Sequence, residues 1–145
     1  MRDDKWLDEK LELIWGSLFP DTERANNVII RFKGKWKNKF GHIKRLSNKD
    51  TEIAINSLFK HDQVPEFIID LTVIHELVHY SHGFHSPLPK LYDHPHKHGI
   101  VTKELKKLGY SHLIKEERKF VREEWLKIYN ELNPKKKRSL FYYFK

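Results

Sequence analysis

The sequence predicts an α+β domain: a small, mostly antiparallel sheet of about three strands, packed against an N-terminal helix, a central apolar helix and C-terminal helices. Three observations lead there. The chain opens on an amphipathic stretch with helical spacing. Residues 27–59 then carry short β-branched runs separated by glycines and turn residues. From Pro65 the pattern changes again, to an apolar segment with no Gly or Pro before Gly83.

Residues 4–19 read as a helix, because Leu7, Leu11, Ile14 and Leu18 repeat on one face with Trp6 and Trp15 beside them, and Phe19-Pro20-Asp21 stops it. Val28–Phe32 reads as a strand that could run on toward Trp36. His42–Leu46 alternates as a second strand, Ser47–Asp50 is a turn, and Thr51–Phe59 is a third strand. Pro65 sits where a first helical turn tolerates proline, and Gly83 is a suitable helix end. Residues 84–97 contain three prolines and no period, so they form a loop. A short helix follows from Ile100 to Leu108, stopped by Gly109. Ser111 then caps a long helix whose apolar stripe is Ile114, Val121, Trp125, Ile128 and Leu132, ended by Asn133-Pro134.

The bulk properties narrow the function classes. A chain of 145 residues, 39% hydrophobic and 33% charged, supports one packed core and is not a disordered composition. Residues 1–133 are read as a single domain and 134–145 as a basic, then aromatic tail. There is no cysteine, which excludes disulfides and thiolate metal sites. No apolar run approaches membrane-spanning length and the first residues do not resemble a secretory leader, so a soluble, cytoplasmic protein with no membrane partner is expected. The net charge of +8 favours polyanionic partners, nucleic acid among them.

The stretch that carries chemistry is His75-Glu76-Leu77-Val78-His79. Residues i and i+4 share a helix face, so His75 and His79 can direct two imidazoles at one metal ion. Glu76 is turned about 100° away, within reach of a water at that metal without being a ligand. Neutral nitrogen ligands and an adjacent carboxylate suit a catalytic zinc, whose water ionises near neutral pH. Seven of the ten histidines lie between positions 75 and 98, a clustering that surface composition does not explain.

A catalytic zinc takes three protein ligands, so one more is needed. His98, followed by Gly99 at the start of a helix, ranks first. Glu104 ranks second, because Val101, Leu105 and Leu108 place it toward the inward side of that helix while Lys103, Lys106 and Lys107 face away. His96 ranks third. His82, His85 and His94 rank below these, and His42, His61 and His112 read as surface residues. Asp70 could accept a ring N–H from a ligand histidine, or simply be solvated.

Taken together, these residues resemble the zincin metallopeptidases, and within them the SprT-like group and the compact minigluzincins. The resemblance covers about half the chain, from Gly41 to Gly109. It lies in the order of parts: the strand Ile53–Phe59, the linker with Val64-Pro65, and the apolar helix with His75-Glu76-Leu77-Val78-His79. His98-Gly99 matches the start of the SprT-like third-ligand pattern, and Glu104 corresponds to the ligand of glutamate zincins. The resemblance implies a zincin-like fold and a zinc metalloendopeptidase with Glu76 as general base. It also implies that strand 51–59 is an exposed edge on which a peptide substrate adds as a strand. An oxyanion stabiliser is required, with Tyr80, Tyr92, His96 and Tyr110 as candidates.

Two further expectations are kept open. Arg31–Lys49 and Lys135–Arg138 are basic, and SprT-like proteases can act on DNA-attached proteins, so a nucleic-acid-associated function is the alternative. The aromatic run Leu140–Phe144 could cover the cleft of a latent peptidase.

Overall fold

A computed structural model describes residues 1–133. The tail 134–145, with its proposed cleft-covering role, lies outside the described residues.

Helix α1 spans Asp4–Leu18. The Asp3 carboxylate accepts from the Trp6 amide at 2.8 Å, satisfying one of the free donors of the first turn. Leu7, Leu11, Ile14 and Trp15 are buried, the face that the spacing predicts. The Trp15 indole N–H donates to the Thr22 carbonyl and so turns the chain back toward the sheet.

The sheet consists of β1 (Val28–Lys33), β2 (Gly41–Arg45) and β3 (Thr51–Asn56), in the order β1-β3-β2. β1 runs parallel to β3 and β2 antiparallel to it. The sheet is therefore evenly mixed rather than mostly antiparallel. A five-residue turn, with the Leu46 amide bonded to the Asp50 carbonyl at 2.8 Å, makes β2 and β3 a hairpin. That hairpin inserts β3 between β1 and β2.

Two expectations about strand 51–59 are corrected. It is the central strand and not an edge, because its two backbone sides are taken by β1 and β2, and every residue of Thr51–Asn56 is buried. It also ends at Asn56. The Asn56 side chain accepts from the Leu58 amide at 3.0 Å, capping a 3₁₀ turn over Ser57–Lys60, and donates to the Trp36 and Lys39 carbonyls. The exposed edge beside the central helix is β2.

One face of the sheet carries Ile30, Phe32, Ile43, Ile53 and Ile55 into a core shared with α1 and with α2, which spans Glu66–Ser81. Burying each such side chain contributes roughly 1.5–3 kcal/mol. The other face is polar. Its Glu52, 2% exposed, is held by Arg31 at 2.7 Å and Lys33 at 3.2 Å, an arrangement that compensates a buried carboxylate. Arg31, Lys33 and Lys44 are exposed there.

α2 is buried nearly all round, since the sheet, α1 and the later helices surround it. Its end follows the glycine rule: Gly83 adopts φ +83°, and the Phe84 amide bonds back to the His79 carbonyl at 3.0 Å. After the loop come α3 (Ile100–Lys107) and α4 (Ser111–Phe120), which continues through a π turn at Val121–Trp125 into α5 (Leu126–Leu132). Val121, expected in the buried stripe, is 45% exposed, and Phe120 takes its place. The π turn adds a residue to one turn, so Phe120 and Trp125 both face the core. Trp125 meets Phe40 and Phe59 edge-on and donates its indole N–H to the Lys37 carbonyl at 2.7 Å. This clamps the segment leading into β2. Among the described residues no helix is long and apolar enough to cross a membrane.

Candidate metal centre

The i, i+4 spacing on α2 brings the Nε2 atoms of His75 and His79 to 3.1 Å. Two ligand atoms on one tetrahedral zinc, at about 2.0–2.1 Å from it, are separated by about 3.3 Å. The pair is thus pre-spaced for such an ion. The third histidine brought to it is His96, and the ligating atoms of all three lie within 4.8 Å of one another. The His96 ring sits 4.7 Å from that of His79 and 5.4 Å from that of His75. His79 is buried, His75 half-buried and His96 exposed, so two ligands come from a rigid helix and one from the loop. That loop is tied down by Ser86 to the Tyr80 carbonyl, by Thr51 to the His85 carbonyl and by the Leu91 amide to the His82 carbonyl.

His98, ranked first from the sequence, is outside this cluster and exposed. His98 and Gly99 are successive left-handed residues, φ 53° and 65°, and they reverse the chain into α3. His96 precedes that reversal and meets the pair. Glu104, ranked second, is half-exposed, lies 3.8 Å from Lys107, and its charge acts on His82 instead. His82 is buried against the Tyr92 ring, His85 lines the cleft, and His94 is exposed. Asp70 pairs with Lys10 of α1 at 2.8 Å, which anchors α2 to α1.

The electrostatics suit a cation. Burial, then the neighbouring His96, pulls His75 down to about 4. Burial, then His75 and His96, pulls His79 down to about 3. Both are neutral at physiological pH, the form that ligates metal. Glu76 is 5% exposed, and its Oε2 has no hydrogen-bond partner among the described residues. Burial pushes its carboxyl up to about 8, with Lys39 opposing. A buried, unpartnered carboxyl group beside two neutral imidazoles is expensive to ionise by itself and is relieved by a cation among them. The residues present therefore fit a metal ion.

Two cavities meet at this centre, sharing Gly41, His75 and Glu76. One, about 240 Å³, runs along β2 past His42, Ile43, His79 and His96. The other, about 300 Å³, runs between Leu71, Leu105 and Ile114, with Lys39 and Glu117 also on its wall. A Cβ at Gly41 would meet the Thr72 Cγ2 at 2.8 Å, so the missing side chain is what lets β2 lie this close to α2.

Of the oxyanion candidates, Tyr80 is engaged elsewhere. Its hydroxyl donates to Asn26 Oδ1 at 2.6 Å and accepts from the Ala25 amide at 3.1 Å. Tyr110 lines a separate cavity with Lys10 and Leu13. Tyr92 packs on His82, and His96 belongs to the triad. Sequence reading missed Lys39 and Glu117, which lie 37 positions before and 41 after Glu76 with no local pattern to single them out. It also missed the role of Gly41, whose presence inside a strand is a signal of close backbone approach.

Comparison with family models, with curated proteins and with solved structures finds no match to this chain.

Proposed function

We propose that this chain is a zinc-dependent metallopeptidase of the zincin type, similar in layout to the SprT-like and minigluzincin groups. The observation that carries the reading is the pairing of His75 Nε2 and His79 Nε2 at 3.1 Å, closed by His96, with the buried Glu76 carboxylate alongside. His75, His79 and His96 would hold the ion. A zinc ion held there supplies Lewis acidity to an attacking water and to a scissile carbonyl.

The remaining chemistry belongs to the chain. Glu76 accepts a proton from the attacking water as its oxygen adds to the carbonyl carbon. As the C–N bond breaks, Glu76 passes that proton to the leaving amine. Lys39 favours the ionised form of Glu76 that this requires. The substrate backbone lies along β2, the free edge beside the histidines, and adds to the sheet as a further strand. Both cavities open from that edge and receive side chains flanking the scissile bond.

The test is metal analysis together with peptide hydrolysis. One zinc per chain and hydrolysis abolished in Glu76→Gln, with zinc retained, are the expected results. Full activity in Glu76→Gln would overturn the mechanism.

A second reading is favoured by the outer face of the sheet. Arg31, Lys33 and Lys44 are exposed there, and Lys39 lies 4.1 Å over the Trp36 ring on the same side as His42. A basic, partly aromatic sheet face suits a polyanion such as single-stranded nucleic acid. Arg31, Lys33 and Lys44 project from the sheet face away from the core, whereas Lys39 and His42 also border the cleft, so this surface runs up to the rim of the hydrolytic site.

A further inference from the structure

We propose that the cavity between Leu71, Leu105 and Ile114 is a substrate side-chain subsite, and that Glu117 makes it select lysine or arginine. This rests on the hydrolytic reading of the histidine centre for its place in the reaction.

Position comes first. The cavity shares Gly41, His75 and Glu76 with the cleft along β2, so whatever fills it lies next to the reacting bond. At about 300 Å³ it is at the lower limit of ligand pockets, room for one long side chain and not for a larger ligand. Its walls have two characters. Leu71, Leu105 and Ile114 offer apolar surface to a methylene stem. Glu117 offers a carboxylate to whatever ends that stem.

Glu117 is half-buried, and among the described residues no cation lies within ion-pair distance of it. Only Arg118, the next residue, opposes the effect of burial, which raises its carboxyl above the ordinary range. Lys39 is also on the cavity wall, but it does not neutralise Glu117. Its ammonium sits over Trp36 and 3.0 Å from His42 Nδ1, and its charge acts on Glu76. The cavity thus keeps one partly desolvated carboxylate, unpaired among the described residues, above an apolar channel. An incoming ammonium or guanidinium supplies the missing partner by a charge-assisted hydrogen bond. An aliphatic side chain leaves the carboxylate unpaired, and an acidic one is repelled. α4 carries Glu117 to this point because Trp125, at its continuation, is seated on Phe40 and Phe59.

The experiment uses short peptides that differ at one central position, Lys, Arg, Leu or Glu, titrated against the zinc-loaded full chain carrying Glu76→Gln. Binding is followed by calorimetry and by amide shifts at Leu105 and Ile114. The Lys and Arg peptides should bind about tenfold more tightly than the Leu peptide and shift both amides. Adding Glu117→Gln should remove that preference, and Glu117→Lys should turn it toward the Glu peptide. Equal affinity for all four, or a basic preference that survives both Glu117 substitutions, overturns the subsite. Parallel cleavage mapping with the wild-type chain separates the two readings. Cleavage without basic preference sinks the subsite and leaves the peptidase. Selective binding without any cleavage sinks the peptidase and leaves the subsite.

Discussion

His75 and His79 present their Nε2 atoms to each other at 3.1 Å, and each is held neutral by burial. Two neutral imidazoles at this spacing are either a lone hydrogen bond or two corners of a metal site. The unpartnered Glu76 oxygen beside them favours the metal.

The ligand assignment is checked by zinc titration of single alanine variants. His75→Ala and His79→Ala should weaken zinc by about 100-fold or more. His96→Ala should weaken it by about tenfold or more, since its exposed loop position offers a less rigid ligand. His98→Ala should bind zinc like the wild type. Loss of zinc in His98→Ala with retention in His96→Ala would reverse the assignment.

Glu76→Gln should lower hydrolysis by about 10²–10⁴-fold, the usual contribution of a general base. It should also stabilise the metal-free protein. The folded carboxyl titrates at about 8, above its ordinary 4.5, so its contribution is full below 4.5 and is lost as pH rises through 8. The gain from the substitution should therefore be small at pH 4 and on the order of 4 kcal/mol at pH 8, measured by urea unfolding in chelator. A gain independent of pH would contradict the burial argument.

The histidines give the opposite trend. Their folded values, about 4 and about 3, lie below the ordinary 6.5. Stability is full above 6.5 and falls with acidification, as the unfolded chain takes up protons that the folded one refuses. Metal-free protein should lose stability between pH 6.5 and 4, and His79→Gln should flatten that slope. Thermal unfolding across this range provides the measurement.

Gly41→Ala should destabilise the fold by about 1–3 kcal/mol, because the new methyl meets Thr72 Cγ2 and the Ala54 carbonyl. Gly41→Ala with Thr72→Ser should recover part of that loss. Circular dichroism melts of both variants give the answer, and an unchanged melting point in Gly41→Ala would mean β2 is free to move away from α2.

The outer sheet face is tested with Lys44→Glu and Lys44→Ala, which avoid the Arg31 and Lys33 partners of buried Glu52. Binding of single-stranded DNA at low salt should weaken in both and fall with added salt. No binding by the wild type at low salt would remove this surface from consideration.

The chain by itself determined what depends on local periodicity. The i, i+4 register of α2 fixes the facing of His75 and His79 and the offset of Glu76, because helix geometry follows from backbone sterics and hydrogen bonding. The apolar faces of α1 and α2 and the turn at Gly83 were legible for the same reason. Tertiary structure decided the rest. The rank of β3 as central strand depends on pairing between segments more than 20 residues apart, which no local pattern encodes. The exchange of His98 for His96 turns on two left-handed residues that redirect the chain into α3. The exposure of Val121 follows from a π turn that shifts the stripe by one residue. Lys39 and Glu117 reach the site only because the Trp125–Phe40–Phe59 cluster brings the segment before β2 and the rod of α4 together.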